Sequence, residues 1–144
     1  MKRVKTRNRV AGLLLAVAAG VAGCQDAGTG VDGQVPSGLV VLDARGSTVA
    51  SAEGSRVSGA IEVGAGQPQT FTVRLTSADG GTISLGGRYS LQPRVLIGPL
   101  ASVSVSGSDR LVVTGNSPGT TTLVLDVMEG GTVAIGPFIP LTVK

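Results

Sequence analysis

Residues 69–77, Gln69-Thr70-Phe71-Thr72-Val73-Arg74-Leu75-Thr76-Ser77, decide the fold. Phe71, Val73 and Leu75 occupy every second position, with Thr70, Thr72 and Arg74 between them. A period of two sends alternate side chains to opposite faces of an extended chain. The stretch therefore predicts a strand with one dry and one wet face, as in antiparallel sheets. Asp79-Gly80-Gly81 follows and then Thr82-Ile83, which reads as a turn into a second strand, glycine supplying the positive φ of a tight hairpin.

The same arrangement recurs fifty residues on. Thr120-Thr121-Thr122-Leu123-Val124-Leu125 leads to Glu129-Gly130-Gly131-Thr132-Val133. Two readings stand side by side: equivalent hairpins related by pseudosymmetry across a sandwich, or unrelated hairpins that share turn chemistry. Alternation also marks Val103 and Val105 against Ser102, Ser104 and Ser106, and sets Leu123, Leu125 and Val127 inward against Thr122, Val124 and Asp126. Predicted strands are 38–44, 56–63, 69–77, 81–85, 89–97, 101–106, 110–114, 120–128, 132–135 and 139–143. Gly, Thr, Ser and Val oppose helix throughout. Many short strands with Gly-rich turns predict an all-β, Ig-like antiparallel sandwich of about seven to nine strands. Its core must be aliphatic, because Phe71, Tyr89 and Phe138 are the only aromatics. Pro137 and Pro140 are expected to protect a terminal edge.

The amino-terminal part follows different rules. Lys2, Arg3, Lys5, Arg7 and Arg9 precede an uncharged run from Val10 to Ala22. A basic segment, a short apolar segment and a small-residue exit make a secretory signal peptide. The run is shorter than the about 20 apolar residues that a spanning helix needs. Its exit, Val21-Ala22-Gly23-Cys24, resembles the lipobox of bacterial lipoproteins position by position. The resemblance implies cleavage between Gly23 and Cys24 and a thioether-linked diacylglycerol on Cys24, with the new amino terminus open to acylation. Two acyl chains give stable attachment where one gives only marginal binding. Residues 1–23 are thus expected to be a cleaved signal peptide, 24–37 a lipidated flexible tether, and 38–144 the Ig-like domain.

Cleavage would change the charge. Five of the twelve basic residues lie in the leader, and the remaining seven face nine acids, giving a slightly acidic chain of 121 residues. Nucleic-acid binding needs concentrated positive charge. The basic residues here are scattered, so no nucleic-acid partner is expected. With Cys24 the only cysteine, no intrachain disulfide can form.

The last third resembles bacterial Ig-like domains of group 2, the invasin and intimin type. The carrying residues are Leu111-Val112-Val113-Thr114-Gly115, Pro118-Gly119-Thr120-Thr121-Thr122-Leu123, Gly130-Gly131 and Pro140-Leu141-Thr142-Val143. The resemblance covers 101–144 and does not extend over 38–100. It implies an extracytoplasmic sandwich used as a spacer, an adhesion module or a carbohydrate- or protein-binding unit, with no fixed catalytic residues. Family members mostly occur in tandem, whereas the resemblance here covers one copy.

The chain has no histidine, and Cys24 is expected to be acylated. His- or Cys-built metal sites and Ser-His-Asp or Cys-His catalysis are therefore excluded. No Asp-x-Asp cluster suggests calcium, and Gly64-Ala65-Gly66 and Gly86-Gly87 lack the lysine of a phosphate loop. No cofactor, metal or catalytic residue is expected. Arg45, Arg56, Arg74, Arg88 and Arg94 read either as a ligand surface on one sheet or as dispersed solubilising charge.

The expected function is that of a membrane-anchored, non-enzymatic lipoprotein of the bacterial cell envelope. It would be extracytoplasmic and held by membrane lipid through Cys24, and its Ig-like domain would bind, adhere or interact structurally with an envelope protein or glycan. Gln25 directly after the cysteine permits outer-membrane sorting, by resemblance to enterobacterial lipoproteins. One alternative is an accessory subunit for a glycan or small apolar ligand, with Tyr89 or Phe138 as the stacking surface. A less favoured one is a hydrolase using two carboxylates about 5–9.5 Å apart.

Overall fold

The computed structural model describes residues 34–144. The leader, Val21-Ala22-Gly23, Cys24 and most of the expected tether lie outside the described residues. Twelve strands follow in order: β1 (Pro36–Leu42), β2 (Thr48–Glu53), β3 (Arg56–Gly59), β4 (Ile61–Val63), β5 (Pro68–Ser77), β6 (Thr82–Ile83), β7 (Tyr89–Val95), β8 (Ala101–Ser106), β9 (Arg110–Gly115), β10 (Gly119–Glu129), β11 (Thr132–Ile135) and β12 (Phe138–Val143). They form an all-β sandwich. The first sheet runs β3-β2-β1-β5-β9-β8, with β6 also on β5. The second runs β11-β10-β12-β4, with β7 also on β10.

The strands exceed the seven to nine expected because several are fragments. The predicted strand 56–63 is two, broken at Gly59, whose φ of 79° no extended residue adopts. Its first half joins β2 in one sheet and its second half joins β12 in the other. The β4–β12 pair is parallel, and every other strand pair is antiparallel. β2 was not expected from sequence. Its inward residues, Ala50 and Ala52, are buried but small, so the alternation carries little hydrophobic contrast. The expected tether is also shorter at its carboxyl end: Pro36 already pairs with Ser77, so β1 begins two residues before Gly38.

The two recurrent hairpins stand one in each sheet, in equivalent places. β5 pairs with β1 on one edge and with β9 and then β6 on the other. β10 pairs with β7 on one edge and with β12 and then β11 on the other. This equivalence favours the pseudosymmetric reading of the repeat. The turns themselves differ: Gly130 and Gly131 both have positive φ, whereas only Gly80 does in the first hairpin.

The inner faces meet as the alternation predicts. Phe71, Val73 and Leu75 on β5 and Leu123, Leu125 and Val127 on β10 are buried, with Leu39, Ile61, Leu111, Ile139 and Leu141 fully so. The core is aliphatic, each such side chain contributing about 1.5–3 kcal/mol on burial. Val124, expected outward, is also fully buried. It lies on the outer face of a central strand, between its cross-strand neighbours Phe138 and Arg94.

Prolines keep to positions that need no ladder donor. Pro36 and Pro68 open β1 and β5, and Pro93 lies in β7, which among the described residues has a ladder only on its β10 side. Pro140 lies in β12, which is not a terminal edge: β4 covers Leu141–Val143 and leaves Pro140 just beyond its reach.

Candidate functional site

Two ends of the sandwich differ in chemistry. The chain enters at Gln34, whose carbonyl accepts a hydrogen bond from the Tyr89 hydroxyl at 3.1 Å. Its side-chain Nε2 donates to Asp79 Oδ2 at 3.3 Å. Gln34 Oε1 is buried and has no partner among the described residues. Tyr89 is 2% exposed, so its hydroxyl sits at the end of a ring otherwise enclosed by core. The Arg88 guanidinium lies 5.4 Å from the Tyr89 ring centroid, and its Nε pairs with Glu129.

Asp79 organises the neighbouring turn. Its carboxylate accepts from the Ser77 hydroxyl and from the Gly81 N–H at 3.2 Å. The Ser77 bond, then the Gly81 bond, hold its carboxyl below the ordinary 3.8, since both stabilise the ionised form. Gln34 thus touches the Asp79 turn and also Tyr89, which opens β7 opposite Glu129 at the end of β10. Both acid-Gly-Gly turns therefore lie at the end where the chain enters. Together these residues clasp the first described residue of the domain to both sheets.

Lys144 is at the other end. Its N–H donates to the Val63 carbonyl at 2.9 Å, and its carbonyl accepts from Ala65 at 2.8 Å. The Gly66 N–H donates to Gly115 at 2.8 Å, joining the segment after β4 to β9. A groove of about 680 Å³ opens here beside Asp43, Arg45, Glu62, Gln69 and Phe71. Its acids are engaged in structure. Asp43 Oδ1 accepts from the Arg45 and Ser47 N–H groups at 2.9 and 2.8 Å, and Glu62 pairs with Lys144.

A second groove, about 570 Å³, lies between the sheets and is lined by Val57, Ile135, Pro137 and Phe138 among others. Phe138 is 59% exposed. Of the two aromatics expected to offer a stacking surface, Phe138 alone is accessible, and Tyr89 is committed to the core. The five arginines do not share one sheet. Arg56 and Arg74 are on the first, Arg94 is on the second and pairs with Asp126 at 3.2 Å, and Arg45 and Arg88 are at opposite ends. Among the described residues, no group of three or more His, Cys, Asp or Glu is placed to hold a metal ion. Among them also, no helix is long and apolar enough to cross a membrane.

The clasp was not expected from sequence, because its partners are 45 and 55 residues apart. The available signal was the Asp79-Gly80-Gly81 turn, which marked one of its walls.

No family model and no curated protein matches the chain. Solved structures of the S-layer protein SbsC do match. Domains 4 and 5 align at 25% identity and TM-score 0.44 over 60% of this chain and 47% of that one. Domains 5–6 align at 25% identity and TM-score 0.45 over 60% and 40%. Domains 4–9 align at 18% identity and TM-score 0.45 over 78% and 23%. The chain spans less than half the length of these structures.

Proposed function

We propose that the chain is a lipid-anchored, non-catalytic protein of the bacterial cell envelope, and that its Ig-like sandwich acts by binding or structural interaction. The observation that carries this reading is Val21-Ala22-Gly23-Cys24 at the exit of a basic-then-apolar leader. The resemblance of 101–144 to group 2 bacterial Ig-like domains belongs to the same proposal. The fold is compatible with a tether at its amino terminus. Only residues 25–33 separate Cys24 from the Gln34 clasp; nine residues acting as the expected tether would reach about 15–18 Å. An anchor there would hold the clasp end toward lipid. β5, ten residues long, then carries the opposite end about 30–35 Å further. The surface around Asp43, Arg45 and Lys144 would face away from the membrane, toward an envelope protein or glycan.

Detergent-phase partition of the expressed protein tests the anchor. Wild type is expected in the detergent phase and Cys24→Ser, expressed alongside, in the aqueous phase or as uncleaved precursor. Wild type in the aqueous phase would contradict the proposal.

A second reading has one observation in its favour. The groove beside Phe138 offers an exposed ring with Val57, Ile135 and Pro137 around it. A small apolar ligand or a sugar face would stack there. Phe138→Ala should then abolish ligand-induced chemical shifts at Val57 and Ile135 in a ligand screen.

A further inference from the structure

The edges of the two sheets are unequal. β3 has four residues and carries Arg56, and β4 has three and carries Glu62. β6 and β11 have two and four. β7 is longer but contains Pro93 and Arg94. Short strands, charges and prolines are the means by which proteins block pairing at an edge. β8 has none of them. It is six residues, Ala101-Ser102-Val103-Ser104-Val105-Ser106, without charge, proline or glycine, and it ends the first sheet with β9 as its only ladder partner among the described residues.

The phase of the ladder shows which groups β8 leaves open. Asn116 N–H donates to the Leu100 carbonyl at 2.8 Å, and the register continues unbroken through Ala101↔Gly115 to Ser106↔Arg110. In an antiparallel pair, hydrogen-bonded and non-bonded positions alternate. Ser102, Ser104 and Ser106 therefore bond to β9, and Ala101, Val103 and Val105 turn their N–H and C=O groups outward. The inward side chains of Val103 and Val105 pack on the core yet remain partly exposed, whereas the three serines are exposed on the outer face.

We propose that β8 pairs antiparallel with β8 of a second copy, about a two-fold axis through Ser104, joining the first sheets of two molecules into one. The sequence 102–106 reads the same in both directions, as a two-fold axis requires. This register sets Val103 against Val105 of the other copy. Both are residues whose backbone groups point outward, so they exchange hydrogen bonds. It also sets Ser104 against Ser104 on the outer face. Valines meet valines on the core side, serines meet serines on the wet side, and no charge is buried. A slip by one residue would set serine against valine and turn bonded positions toward the new partner. β7, the neighbouring edge of the second sheet, carries Pro93, so the junction is made by the first sheet alone. The pairing does not depend on lipid at Cys24.

Cysteine crosslinking reads the register directly. Ser104→Cys would place two thiols across a non-hydrogen-bonded pair, with Cα atoms about 4.5 Å apart, within disulfide reach. Ser102→Cys or Ser106→Cys alone would leave its own copies about 13 Å apart along the strands. In the full chain in detergent under mild oxidation, with wild type as the Cys24 background, Ser104→Cys should crosslink at least about tenfold faster than either neighbour. Mixing Ser102→Cys with Ser106→Cys should restore crosslinking. Equal rates for all three positions, or no crosslinking above background, would overturn the proposal. Sedimentation gives an independent readout. Ser104→Lys sets like charges directly opposite at an exposed position, and should raise the dimer dissociation constant about tenfold or more with an unchanged circular-dichroism melt. An unchanged dissociation constant, or wild type monomeric throughout, would equally overturn it.

Discussion

At the residue scale, the most consequential polar groups are Asp79 and Tyr89. Asp79 has its carboxyl held below 3.8, first by the Ser77 hydroxyl and then by the Gly81 N–H. A carboxylate whose folded value is depressed stabilises the fold above its unfolded value, and that stabilisation is lost as pH falls through the folded value. Asp79→Ala is therefore expected to lower stability at pH 7. Its difference from wild type should shrink as pH drops below about 4, as measured by denaturant unfolding across that range. A difference independent of pH would show that the carboxylate charge is not what matters. Tyr89 tests the clasp from the other side. Its hydroxyl donates to Gln34 from an otherwise enclosed ring, so Tyr89→Phe should cost about 0.5–1.5 kcal/mol. It should also speed amide exchange of β1 ahead of the rest of the sheet.

At the scale of elements, the strands that were legible in the sequence are those with large inward side chains. β5, β8, β9, β10 and β12 lie within a residue or two of their predicted bounds, because Phe, Val, Leu and Ile at every second position give a strong period-two signal. β2 was silent because Ala50 and Ala52 give a weak one. The break at Gly59 was hidden because the change of sheet depends on partners far along the chain. Val124 misled for the same reason: on a central strand even the outer face can be covered by its neighbours. The clasp joins Gln34 to residues that only the folded sheets bring together, so no local pattern carries it. The contact between the sheets at Gly115 offers a direct test of the packing. A Cβ there would lie 2.6 Å from Val143 Cγ1 and 2.8 Å from the Gly64 carbonyl oxygen. Gly115→Ala is thus expected to cost about 1–3 kcal/mol in denaturant unfolding. A neutral result would mean that β9 and the segment after β4 separate easily.

At the scale of the whole molecule, the sandwich has a polar, hydrogen-bonded end where the chain enters and a carboxyl-terminal end with an open groove. The proposed anchor gives that asymmetry a direction. Ten residues after Cys24, at Gln34, the chain is caught by Tyr89 and Asp79, so a lipid at Cys24 would hold the domain by one defined end. In the proposed reading such a domain acts through surface shape and sheet edges rather than through a catalytic group. Intact-mass spectrometry of the protein isolated from native membranes tests the central claim most directly. The account predicts a chain beginning at Cys24, lacking residues 1–23 and heavier by a diacylglyceryl group. A chain that retains residues 1–23, or one with a free thiol at Cys24, would contradict it.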